Sequence, residues 1–271
     1  MKRFTILLTL LITISAAYSQ KRWVTLNGTQ QPEQAAMTIQ QSYRQGLSIE
    51  INVSGMYLQE ITEENMVFQH ISLTDGHTTK AVGRPELPML NEVIGIPGNQ
   101  KVSYTIVEME TTKLSGYNIY PFQTPTTDNP GGHDKAFVMD QAFYQKDGVF
   151  PSENVVMGQA QIWRDIKLTN LHVTPFSYNP ATQELTAITK MIVKVEFSGI
   201  DETMVFNPKM ELTPKFYNMY ETAIPNFGDL GYTLTYREDP GIKYLIITNT
   251  EAVDAIQPLV DWKNKMGHTV E

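Results

Sequence analysis

Met191-Ile192-Val193-Lys194-Val195-Glu196-Phe197-Ser198 decides the fold class. Met191, Val193, Val195 and Phe197 are apolar, and Lys194, Glu196 and Ser198 between them are polar. A period of two is the signature of a half-buried strand, and only Ile192 departs from it. Just upstream, Tyr178-Asn179-Pro180-Ala181-Thr182 lies between two strand patterns and reads as a hairpin connection. Farther out, Ile166 and Leu168 begin a run that carries through Leu171 and Val173. Val102, Tyr104 and Ile106 form another, as do Met66, Phe68 and His70. Leu47, Ile49, Ile51 and Val53 alternate with Ser48, Glu50 and Asn52. Asp75-Gly76, Pro97-Gly98, Pro130-Gly131-Gly132 and Asp147-Gly148 punctuate these runs. Residues 47–200 are therefore expected to be all-β, an antiparallel sandwich or barrel without internal repeats. Residues 20–46 are polar and Gln-rich, and read as a loosely ordered lead-in with a short helical piece.

The chain has 271 residues, 41% hydrophobic, enough to bury a sizeable core. Its net charge is −8 and its Lys and Arg are not clustered, which excludes a nucleic-acid footprint. There is no cysteine, so these residues hold no disulfide, thiolate metal site or cysteine nucleophile.

Met1-Lys2-Arg3 is a basic start, and Phe4 to Ile14 is an apolar run. Ala17-Tyr18-Ser19 then places small residues where a signal peptidase reads, so cleavage is expected between Ser19 and Gln20. The competing reading is a membrane anchor, but the run is too short to span a bilayer comfortably, and no later stretch reaches ~18 apolar residues. After signal removal the protein is expected to be free of the membrane.

The character changes near residue 240. Lys243-Tyr244-Leu245-Ile246-Ile247-Thr248 is a continuous apolar run, as in a strand buried on both faces. Asn249 and Thr250 offer N-caps, and Ile256, Leu259, Val260 and Trp262 recur at helical spacing. Pro258 either opens the main helix at its first position or kinks it. Gly267 is a plausible stop, and His268-Thr269-Val270-Glu271 begins a second strand. Two strands and a helix cannot bury their own faces, so the expectation is a truncated α/β domain. The competing reading is an α/β appendage packed on the β domain.

Val260-Asp261-Trp262-Lys263-Asn264-Lys265-Met266-Gly267, placed after that strand, resembles the start of the catalytic domain of gingipain-type cysteine peptidases. The upstream region resembles the propeptide of the same family. Its features are Gly83-Arg84-Pro85-Glu86-Leu87-Pro88, Ile96-Pro97-Gly98, Tyr144 through Pro151, Trp163-Arg164-Asp165 and Pro175-Phe176-Ser177-Tyr178-Asn179-Pro180. The resemblance implies a signal peptide over residues 1–19 and a β-sandwich propeptide over 20–237. From 238 to 271 it implies the first elements of a caspase-like peptidase domain. It also implies export by Bacteroidetes through the periplasm to the outside or the cell surface, with the secretion machinery as a partner. The propeptide would assist folding and block the cleft of its own or a related peptidase domain. The catalytic Cys and His of the family lie beyond residue 271, so no residue here is catalytic and the chain as given should be inactive. The parent would cleave after Arg or Lys. A related type IX secretion sortase is not distinguished from it. No cofactor is expected for these residues, and calcium is what the resemblance allows for the parent family.

For a peptidase that reads basic residues, an inhibitory loop needs an Arg or Lys on an accessible loop. Lys135, in Thr126-Thr127-Asp128-Asn129-Pro130-Gly131-Gly132-His133-Asp134-Lys135, is the first candidate and Lys146 the second. Either could equally be a solvated surface lysine. Arg237 is the only basic residue of the polar linker Tyr232 to Gly241, which makes it the candidate processing site. His133 and Asp134 hint at a cation, but the histidines show no metal spacing and no metal site is expected. Glu108 with Glu110, or Glu63 with Glu64, would be the pair for glycosidase chemistry, against the simpler reading of an exposed strand face. Trp163 reads as core, with Arg164 paired to Asp165. A rival function, a secreted adhesin or carbohydrate-binding module, would need an exposed aromatic platform such as Tyr117, Tyr120 and Phe122.

Overall fold

The computed structural model describes residues 21–74, 76–125, 136–204, 206–235 and 243–271. Two compact units emerge. One contains the chain up to Pro208 together with Ala223–Gly231, and the other contains Lys209–Thr222 and Tyr232–Glu271.

The first unit is antiparallel β, as its alternating pattern requires. Its strands are β1 (Arg22–Thr25), β2 (Ala36–Tyr43), β3 (Gly46–Asn52), β4 (Gly55–Glu63), β5 (Met66–Ser72), β6 (Leu90–Ile96) and β7 (Lys101–Ser115). A short helix, α1 (Gln141–Tyr144), precedes β8 (Val155–Met157), β9 (Gln161–Trp163), β10 (Ile166–Val173), β11 (Phe176–Asn179) and β12 (Glu184–Ser198). They form three sheets, β1-β4-β5, β6-β10-β8 with β9 also on β10, and β11-β12-β3-β2 with β7 on β12. All three feed one core. Met56, Leu58 and Ile71 enter from the first sheet, Ile94, Ile96 and Leu171 from the second, and Ile49, Ile51, Met191 and Val193 from the third.

The 15-residue β12 is the spine. Met191, Val193 and Val195 have no exposed surface and Phe197 almost none, so the alternation read from sequence is the core face. β7 pairs along its whole length, while β11 and β3 share the opposite edge in succession. Two bulges interrupt the β7 register, leaving Val107 and Thr189 without opposite numbers. The expected hairpin is present, with Asn179 opposite Glu184.

Residues 20–46 are not a loose lead-in. They supply β1 and β2. Trp23 stacks edge-on against Tyr57 at 5.2 Å, and β2 pairs with β3. As an edge strand β2 keeps a solvated outer face, which is why its glutamines hid it, and the bulge at Gln40 breaks its period.

β3 approaches β12 closely where the hairpin from β2 enters it. A Cβ on Gly46 would lie 2.3 Å from the Val195 carbonyl oxygen, a backbone atom of the spine. Gly46→Ala should therefore lower the free energy of unfolding by about 1–3 kcal/mol through overpacking. Urea titration of the variant checks this, and an unchanged midpoint would contradict it.

The second unit carries β13 (Glu211–Leu212), α2 (Pro214–Ala223), β14 (Thr233–Leu234), β15 (Lys243–Tyr244), α3 (Val253–Lys265) and β16 (Thr269–Val270). β13 pairs with β14 and β15 with β16, both parallel. The strand–helix–strand order is the one expected, but the strand stops at Tyr244, and Leu245 and Ile247 are 67% and 88% exposed. A two-stranded sheet offers no second layer to cover a continuous apolar run. Asn249 caps a preceding turn by accepting the Ala252 N–H at 3.0 Å. Pro258 lies inside α3 rather than at its start, and Gly267 ends it at φ +89°. Leu259 and Trp262 on that helix, and Met266 just after it, are exposed. Among the described residues no helix is long and apolar enough to cross a membrane.

Candidate functional site

The segment from Gly83 to Pro88 acts as a bracket in the first unit. Gly83 N–H donates to Phe122 O at 2.9 Å, Phe122 N–H to Arg84 O at 2.8 Å, and Glu86 N–H to Tyr120 O at 2.8 Å. Asp140 N–H donates back to Gly83 O at 3.0 Å. Gly83 holds φ +76°, a conformation that favours glycine. Arg84 stands at the centre. Its Nε lies 3.0 Å from Asp140 Oδ2, and its guanidinium lies 4.3 Å from the Phe143 ring centroid. Asp140 uses its other oxygen to cap α1, accepting the Phe143 N–H at 2.9 Å.

This bracket presents Lys146. α1 ends in a turn closed by Lys146 N–H on Phe143 O at 3.0 Å, and the side chain of Lys146 is exposed. On the far side Asn179 Nδ2 donates to Asp147 Oδ1 at 2.8 Å, and Phe150 pairs with Tyr178 through two backbone hydrogen bonds of 3.0 and 2.8 Å. Below, Phe143 is buried and meets Phe150 edge-on at 6.0 Å. The Lys146 turn is thus held from both sides, with the exposed Val149 beside it.

The same bracket holds the flanks of a second segment. The Gln123 side chain donates to Val138 O at 2.8 Å and accepts the Val138 N–H at 2.9 Å. Phe137 packs on Phe68 and Tyr120 with centroids 5.7 and 5.9 Å away. Glu86 lies 3.4 Å from His70 Nε2 and accepts the Thr78 hydroxyl at 3.1 Å. Burial first, then the carboxylates of Glu63 and Glu86, raises the Tyr120 hydroxyl above its ordinary range.

Lys135 itself, with His133 and Asp134, lies outside the described residues, as do Arg237, Ser19 and Gln20. Of the inhibitory-loop and cleavage candidates, Lys146 alone lies among the described residues. Arg84 and Asp140, which hold the helix before it, were not among the sequence candidates, although Gly83-Arg84-Pro85-Glu86-Leu87-Pro88 stood out as a motif. The other candidates resolve into structural roles. Glu108 pairs with Lys190 at 2.9 Å, and Glu64 sits in the β4–β5 turn at φ +49°. Trp163 is 39% exposed and is not a core residue, because β9 lies at the edge of its sheet; Arg164 does pair with Asp165, at 3.1 Å. Tyr117, Tyr120 and Phe122 are each half-buried, and Tyr120 is packed edge-on against Phe68. They do not form one exposed platform. No group of three or more metal-binding side chains is assembled among the described residues.

Comparison with known proteins adds the following. The family Propeptide_C25 matches residues 27–229. Gingipain R2 of Porphyromonas gingivalis is 22% identical over 224 residues, which cover 82% of this chain and 30% of that protein. Lys-gingipain of the same organism is 22% identical over 223 residues, covering 78% of this chain and 12% of that protein. The chain thus spans less than a third of the length of these relatives. Among solved structures, the complex of Porphyromonas gingivalis RgpB pro- and mature domains superposes with a TM-score of 0.62 at 19% identity. It covers 70% of this chain and 97% of that one. A structure described as giving insight into the zymogenic latency of gingipain K from Porphyromonas gingivalis gives 0.59 at 17% identity, over 66% of this chain and all of that one. At these identities the likeness is one of fold.

Proposed function

Because this chain belongs to the Propeptide_C25 family, we propose that residues 20–237 are the removable propeptide of a gingipain-like cysteine endopeptidase whose peptidase domain begins near residue 238. The propeptide keeps the enzyme latent and helps it fold. Family membership over 27–229 carries this reading, and the shared fold with a pro-domain solved beside its mature domain supports it. Residues 1–19 then act as a signal peptide cleaved between Ser19 and Gln20. The precursor passes through the periplasm to the cell surface or beyond, handed on by the secretion machinery. Calcium, in this reading, belongs to the parent peptidase.

Latency arises by steric cover plus substrate-like docking, for which pre-organised loops lose little entropy. Lys135 and Lys146 are the basic side chains offered to the specificity pocket. The paired flanks Gln123 and Val138, and the doubly held Lys146 turn, are the features that favour them. Zymogen conversion follows a cut after Arg237.

The test mixes residues 20–271 with a mature Arg- or Lys-specific gingipain. Inhibition at near-stoichiometric ratios is expected. Lys135→Ala or Lys146→Ala, whichever removes the anchor, should weaken it by ~2 kcal/mol or more. Full activity under a large molar excess would overturn the reading, and an unchanged inhibition constant would remove that lysine. N-terminal sequencing of the matured parent enzyme tests Arg237.

A further inference from the structure

Among the described residues β6 ends its sheet, so one of its edges has no neighbouring strand. At Gly95 a single side chain takes that strand's place. Gly95 N–H donates to Asn226 Oδ1 at 2.8 Å, and Asn226 Nδ2 donates to Gly95 O at 2.9 Å. Asn226 is 2% exposed. A Cβ at Gly95 would stand 2.5 Å from Leu230 Cδ1 and 3.0 Å from Ile224 Cγ2, so these side-chain ends would have to move to admit it.

The segment that brings Asn226 there is short and self-folded. Phe227 N–H donates to Ile224 O, Asp229 N–H to Asn226 O, and Leu230 N–H to Phe227 O. Ile224, Phe227 and Leu230 are buried with Asn226. Four buried side chains in seven residues, on a backbone already turned on itself, make a compact binding element with little ordering cost. Residues 209–222 before it and 232–271 after it belong to the other unit.

We propose that Ile224–Leu230 is a clasp, a noncovalent tie that keeps the downstream chain on the propeptide after the backbone is cut upstream of it. Lys209 and Lys215, both exposed, are basic residues on the upstream side, and Arg237 lies downstream. A peptidase that reads basic residues can cut on either side, with opposite consequences. An upstream cut leaves the clasp on the enzyme's side of the break, docked on β6, and the complex stays together. A downstream cut leaves the clasp with the propeptide and frees the new N-terminus. The position of the cut relative to Asn226, more than cutting itself, then sets whether latency is lost. This rests on the propeptide reading, but the tie itself can be measured without it.

A recognition sequence for a site-specific protease is inserted after Asn207 in residues 20–271, cut under native conditions, and the digest run on size exclusion. The fragments are expected to co-elute, and Asn226→Ala should weaken their association on the order of a hundredfold, two buried hydrogen bonds being lost. Gly95→Ala, which crowds Leu230 and Ile224 but leaves Asn226 in place, should weaken it as well and serves if Asn226→Ala does not fold. Separation of the unsubstituted fragments on cutting, or association unaffected by either substitution, overturns the clasp. Co-elution without inhibition of a mature gingipain would leave the clasp standing and remove the inhibitory reading alone.

Discussion

Lys167→Ala is expected to cost roughly 3–5 kcal/mol of stability, the range for breaking a buried ion pair. Lys167 is the second residue of β10 and has no exposed surface. Its Nζ donates to Asp201 Oδ2 at 2.7 Å, Gln100 O at 3.0 Å and Asn99 Oδ1 at 3.2 Å. Asn99 Nδ2 in turn donates to Asp201 O and Met204 O, so one ammonium ties together two chain segments that cover β10. Removing it leaves three acceptors without their donor and a cavity where the stem lay. Lys167→Met separates the two losses, since it restores the packing but not the charge. Urea unfolding of both variants should place Met between Ala and the unsubstituted chain. If Ala unfolds at the unsubstituted midpoint, the network contributes nothing.

The same network predicts an acid limb. The hydrogen bond from Lys167, then the hydroxyl and N–H of Thr203, hold the Asp201 carboxyl well below its usual 3.8, at about 2. A carboxyl depressed in the folded state stabilises above its unfolded value, and that contribution is lost as pH falls through the folded one. Stability should therefore decline between about pH 4 and pH 2, and Asp201→Asn should flatten that decline. An identical slope in the Asn variant would show that other carboxyls carry it.

Lys167 also shows where sequence patterns stop being informative. In the unbroken β10–β6 register Lys167 falls on the same face as Leu171 and Val173, and its ammonium is met there by Asn99, Gln100 and Asp201 from distant sequence, which no local pattern announces. β12 from Met191 to Ser198, and the hairpin before it, were legible because alternation and turn chemistry agree there. β2 was not, since an edge strand needs apolar residues on one side only and Gln40 breaks its phase. β7 was read only as far as Ile106, because the extra residue Val107 shifts the phase before Met109. For the site, residue type alone nominated Lys146. The Arg84–Asp140 pair that holds the helix before it joins residues far apart in the chain, and the Asn226–Gly95 tie spans 131 positions. A one-dimensional pattern carries propensity and face. It does not carry which polar side chain will find which backbone group.

At the alkaline end the fold should fail through Tyr178 and Tyr144. Tyr178 is 1% exposed and donates its hydroxyl to Tyr117 O at 2.9 Å, and Tyr144 donates to Ile119 O at 2.7 Å. Burial pushes the Tyr178 hydroxyl up to about 12, and drives Tyr144 upward too, with Tyr178 beside it adding to the effect. In the unfolded chain both ionise near 10. A group whose folded value is raised stabilises fully below the unfolded value, and that contribution disappears as pH climbs through the folded one. A rise from about 10 to about 12 makes the Tyr178 contribution roughly 3 kcal/mol, lost between about pH 10 and pH 12. Tyr178→Phe should lose about 1 kcal/mol at neutral pH, where its hydrogen bond is missed, yet decline less steeply above pH 10. The two stability curves should therefore converge or cross, and parallel curves would refute the assignment. Tyr178 is also the backbone partner of Phe150, which holds one side of the Lys146 turn. If that turn anchors inhibition, its inhibition of a mature gingipain should weaken over the same pH interval, and in Tyr178→Phe it should persist to higher pH.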